Sequence, residues 1–93
     1  MEFQDFINSL EQPEPPAVSP VLLALWHDAK GDWEKAHGIV QEMEGATASW
    51  IHAYLHRKEG DLGNAGYWYH RAGRNRPELD LQAEWEDIVR ELL

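Results

Sequence analysis

The chain has 93 residues, a formal net charge of −9 and a pI near 4.8. That length supports one domain, and the acidic balance argues against nucleic acid and anionic membranes as main partners. Cysteine is absent, which excludes a disulfide framework, a thiolate nucleophile and a cysteine metal site.

Residues 1–10 place Phe3, Phe6, Ile7 and Leu10 at i, i+3, i+4 and i+7. This spacing predicts a short amphipathic helix. A helix so short is marginal alone, so it must dock on something. Residues 11–20 read EQPEPPAVSP, with four prolines in ten residues. Proline at this density excludes helix and sheet, which leaves an extended linker. Residues 21–93 then read as a helical domain.

Ser19 and Pro20 supply an N-cap and a first helical position for a helix over Val21 to Lys30. The run from Val21 to Trp26 is apolar on all faces, which predicts a central position. Gly31 and Asp32 turn the chain. Trp33, Ala36, Val40 and Met43 stripe a second helix that ends near Gly45. Thr47 or Ser49 is expected to cap the third.

In that third helix Trp50, Tyr54, Arg57 and Lys58 share one face, Ile51 and Leu55 a second, His52 and His56 a third. Such a helix is sandwiched between neighbours. Gly60 suits the left-handed residue that ends it, and Asp61 caps the next. Leu62, Ala65, Tyr69 and Ala72 stripe the fourth helix, which stops by Gly73, Asn75 and Pro77. Tyr67, Trp68 and Tyr69 point three ways: Tyr69 to the core, Trp68 towards Trp85, Tyr67 to solvent. From Pro77 to Leu93 the stripe Leu81, Trp85, Ile88, Val89 and Leu92 sits in an acidic remainder. The expected fold is all-α, an array of helical hairpins with about six helices.

A shift of 29 residues superposes Ala24, His27, Gly31, Asp32 and Ala36 on Ala53, His56, Gly60, Asp61 and Ala65. The segment Ala53-x6-Gly60-Asp61-x3-Ala65-x3-Tyr69-x2-Ala72-x4-Pro77 resembles a tetratricopeptide repeat. The upstream copy departs from it at Val40, Met43 and Ala48, and the usual period is about 34 residues. The resemblance implies two degenerate repeats between a docking helix and a C-terminal solvating helix. It also implies that Trp50, Tyr54, Arg57 and Lys58 line a concave groove. The chaperone-binding members carry Lys and Asn where Trp50 and Tyr54 stand, so a two-carboxylate clamp is not expected.

Charge points to the same region. Residues 57–76 hold five cations against two carboxylates, net +3, while the rest of the chain carries −12. Arg71 and Arg74 thereby join Trp50, Tyr54, Arg57 and Lys58 as candidate partner-binding residues. Flat aromatic rings bury area, and the arginine fork pairs with carboxylates. The expected partner is a protein or peptide, an acidic amphipathic helix, and the first candidate is the chain's own N-terminus. Docking of residues 1–19 in cis would fill the groove. Docking in trans would make a dimer. Cover by the N-terminal or solvating helix is the structural alternative, and helix C-terminal cations that favour the dipole would also account for the charge.

His52-x3-His56 has the spacing of a metal-binding pair, and the repeat register offers His27 as a third ligand. The alternative function is therefore a small-ligand or metal-binding helical protein centred on His27, His52 and His56. The same positions are helix–helix packing positions, which makes packing histidines, with no metal or other cofactor, the primary expectation. No nucleophile elbow, phosphate loop or HExxH motif is present, so no enzyme is expected. The acidic N-terminus lacks the apolar core of a signal peptide, and no apolar run approaches the roughly 20 residues that span a bilayer. The expectation is a noncatalytic, cytoplasmic protein-binding module.

Overall fold

Gly31 and Gly60 occupy equivalent turns in the computed structural model, which describes residues 1–93. Their φ values are 87° and 91°, in the left-handed region that glycine enters without steric cost. The amide of the following aspartate reaches back to a histidine carbonyl: Asp32 to His27 and Asp61 to His56, both at 2.9 Å. This back-bond satisfies a carbonyl left open at the helix end. The same aspartate then caps the next helix. Asp32 accepts from the Lys35 amide at 3.1 Å, and Asp61 from the Asn64 amide at 3.3 Å. The 29-residue spacing in sequence is thus a repeat of backbone geometry.

Six helices and no strand follow from these turns: α1 Phe3–Ser9, α2 Pro20–Ala29, α3 Trp33–Gln41, α4 Ala46–Glu59, α5 Leu62–Arg71 and α6 Leu81–Leu92. The fold is all-α, as the sequence predicts. α2 pairs with α3 and α4 with α5, while α4 also touches α2, α3 and α6. Alanines permit the close approach within each hairpin: Ala24, Ala36, Ala53 and Ala65 are all fully buried. The centre is α4 and not α2. Nine consecutive residues, Ala48 to His56, are buried in α4, whereas Val21 and Leu23 of α2 stay partly exposed.

Three boundaries shift. α3 ends at Gln41 and not near Gly45, which leaves Met43 outside the helix. α4 starts at Ala46, so Thr47 and Ser49 are helical and do not cap it. Gly45 takes that place with φ 104°, a backbone no β-substituted residue favours, and the chain reverses sooner than a Thr or Ser cap would allow. α6 starts at Leu81 because Asp80 caps it, accepting from the Ala83 amide at 2.8 Å.

α1 docks on its own chain. Phe6 is fully buried in the common core, with its ring 6.1 Å from that of Trp85. Burial of one such side chain contributes about 2 kcal/mol. Trp26 Nε1 donates to Ser9 Oγ at 3.2 Å, and Lys30 donates to the Leu10 and Gln12 carbonyls at 2.8 and 3.1 Å. The Arg90 guanidinium lies 4.1 Å from the centre of the Phe3 ring. No helix is long and apolar enough to cross a membrane.

Candidate functional site

The α4 face of Trp50, Tyr54, Arg57 and Lys58 is covered from within the chain. Trp50 and Tyr54 are buried. Two carboxylates, each at most 2% exposed, meet this face: Glu84 from α6 and Asp28 from α2. Glu84 accepts from Trp50 Nε1 at 3.2 Å and from Arg57 Nη1 at 2.8 Å. The Tyr69 hydroxyl stands 2.8 and 2.7 Å from its two oxygens. Arg57 also donates to the Leu79 carbonyl. Asp28 accepts from the Tyr54 hydroxyl at 3.2 Å and from Lys58 Nζ at 3.0 Å. Burial, reinforced by these carboxylates, pushes both tyrosine hydroxyls well above their ordinary pKa, so they remain donors.

This corrects the expected groove. An acidic amphipathic helix does lie on the face, but it is α6 and not α1. Helix α1 stands to one side. Its Phe3, Ile7 and Leu10 form one wall of a cleft of about 390 Å³, and Tyr54 and Lys58 line another. The sequence held a signal for the true arrangement. Glu84 interrupts the apolar stripe of α6 between Leu81 and Trp85, and a carboxylate within a buried stripe needs a cation or donors opposite.

Arg71 and Arg74 are exposed. Arg74 lies 3.4 Å above the Trp50 ring and pairs with Glu91 at 3.2 Å. Arg71 lies 5.8 Å from the Tyr67 ring and 5.3 Å from that of Trp68, and donates to the Tyr67 hydroxyl at 3.1 Å. No carboxylate reaches Arg71. Tyr67 is 55% exposed, and Tyr69 is buried, both as the sequence predicts. Trp68 is a correction. It stacks on His52 with ring centres 3.9 Å apart, in place of the expected packing on Trp85. The α5 side that carries Trp68 faces α4, and Tyr69 is the residue that reaches α6.

The histidines also depart from expectation. His27 lies apart, edge-on to Trp26. In the repeat it is the counterpart of His56, one hairpin away. The third member of the cluster is His37 of α3, which packs against α4. His37 Nε2 and His52 Nε2 are 2.9 Å apart, and His56 Nδ1 meets Glu59 Oε2 at 2.6 Å. One ring nitrogen from each of His37, His52 and His56 lies within 4.8 Å of the others. Trp33 stacks on His37 at 4.8 Å and donates to the Leu55 carbonyl at 2.7 Å. Burial first, then the neighbouring imidazoles, pushes His52 down to about 4. Burial and His56 lower His37 as well, against the opposing pull of Glu59 and Glu34. His37 and His52 are therefore held towards the neutral form.

Comparison of the chain with protein-family models, with curated proteins and with solved structures returned no match.

Proposed function

We propose that this chain is a noncatalytic, tetratricopeptide-like protein-binding module that receives an acidic amphipathic helix on the outer face of α5. One observation carries the reading: Arg71 is exposed, free of any carboxylate, and held over the Tyr67 and Trp68 rings. Arg57 and Lys58 are spent on internal carboxylates and Arg74 on Glu91; of the two remaining cations of the +3 segment, Arg71 and Arg76, Arg71 is the one held over aromatic rings. A guanidinium already ordered by two rings loses less freedom on pairing with a partner carboxylate. Tyr67 adds flat apolar area at the same spot, the residue type that anchors interfaces. The repeated turns at Gly31 and Gly60 support the tetratricopeptide-like part of the reading.

The test is selection from a displayed library of acidic amphipathic helical peptides. Peptides enriched on the parent are expected to bind Arg71→Glu and Tyr67→Ala at least about tenfold more weakly, as loss of an interface anchor predicts. Failure of any peptide to enrich, or equal binding to both variants, would overturn the proposal.

A further inference from the structure

We infer that His37, His52 and His56 form a binding site for a single zinc-class divalent cation, with Glu59 orienting His56. Imidazole nitrogen is a preferred ligand of zinc, and three histidines with one open position are a recurrent donor set. His52 and His56 stand at i and i+4 on α4, and His37 reaches them from α3, so two packed helices fix the spacing. The bond from His56 Nδ1 to Glu59 leaves Nε2 of that ring as the free lone pair. A carboxylate on the far nitrogen is the outer partner that metal-bound histidines commonly have.

The fit can be checked against bond lengths. Two nitrogens on one tetrahedral zinc stand about 3.3 Å apart, given Zn–N bonds of about 2.0–2.1 Å. The Nε2 atoms of His37 and His52 are 2.9 Å apart, so they need part by only a few tenths of an ångström. One of them now donates its N–H to the other. Moving that proton to Nδ1 of the same ring turns the contact into two lone pairs, with no net proton release. Trp33 and Trp68 hold the planes of His37 and His52 by stacking. His37 is only partly buried, which leaves a path for the ion and for a fourth ligand such as water.

The experiment uses the full chain, stripped with chelator, and zinc alone. One equivalent of zinc should be withdrawn from a competing chromophoric chelator. The melting temperature should rise by roughly 10 °C at about a hundredfold excess over Kd. His37→Gln, at a partly exposed position, should weaken binding by roughly a hundredfold while its metal-free melt stays close to the parent's. Should that variant fail to fold, the imidazole resonances of the parent decide. Zinc should move those of His37, His52 and His56 among the five histidines. No withdrawal of zinc, unchanged affinity in a folded His37→Gln, or shifts confined to His27 and His70 would each overturn the assignment. None of these readouts depends on the peptide-binding face of α5.

Discussion

Arg57 of α4 and Glu84 of α6 form an ion pair at 2.8 Å across 27 residues of sequence, with the carboxylate only 1% exposed. The same carboxylate serves Trp50 and Tyr69. Glu84→Ala would leave a guanidinium, an indole N–H and a buried hydroxyl facing apolar space. The expected cost is about 3–5 kcal/mol, read as a drop in the urea midpoint. Glu84→Gln keeps an acceptor and should cost less. A loss under about 1 kcal/mol in the alanine variant would show that the network does not hold α6 in place.

The two glycine turns yield a paired prediction. A Cβ at Gly31 or Gly60 meets nothing within 4 Å, so Gly→Ala at either site probes backbone strain alone. Each should destabilise by about 1 kcal/mol, and by similar amounts, because the two turns share one geometry. Gly66 is the control. It is helical, exposed and equally open, so Gly66→Ala should stabilise by up to about 1 kcal/mol. Chemical denaturation of the three variants checks all three signs.

His52 gives the domain an acid sensitivity. Its folded pKa of about 4 lies below the ordinary value of 6.5. The unfolded chain therefore binds a proton more readily between these values, and stability from this group is full above pH 6.5. It is lost as pH falls towards 4, by on the order of 2 kcal/mol. Denaturant midpoints of metal-free protein at pH 7.5, 5.5 and 4.5 test this. A His52→Gln variant should show a flatter profile over the same window, and an equal slope would refute the assignment.

Deletion of residues 1–19 removes Phe6 from the core and uncovers Trp85 and Trp26. Loss of that cover should cost roughly 2–4 kcal/mol and promote self-association through the bared patch. Thermal melts and light scattering read the two effects. A truncated chain with parental stability and mass would mean that α1 contributes nothing to the core.

The sequence made the helices legible because their apolar stripes follow a period of 3.6. It made the turns legible because Gly-Asp pairs have one dominant use. Of the residues that the 29-residue register pairs, Ala24 and Ala53 are both buried and Gly31 and Gly60 are both left-handed. The sequence failed for the site because periodicity says which residues share a face and not which face meets which neighbour. Trp50 and Tyr54 read as an open groove until Glu84 and Asp28 are seen to fill it. His37 carries no signal in the sequence for the same reason: it is alone on its helix, and only the packing of α3 on α4 joins it to His52 and His56. The exposure of Tyr67 is legible because its neighbours Trp68 and Tyr69 use up the inward-facing sides of α5.

The indole of Trp85 donates to the Leu25 carbonyl at 3.0 Å, across 60 residues. During synthesis this bond cannot form until α6 has emerged, long after both hairpins. A nascent chain that ends before α6 carries Arg57 without its carboxylate and the α4 face without its cover. The hairpins can close locally, since their contacts are short in sequence, but the final locking waits for the last helix. Ribosome-bound intermediates that stop before Leu81 should therefore be open to protease within α4, and those extended past Leu92 should resist it.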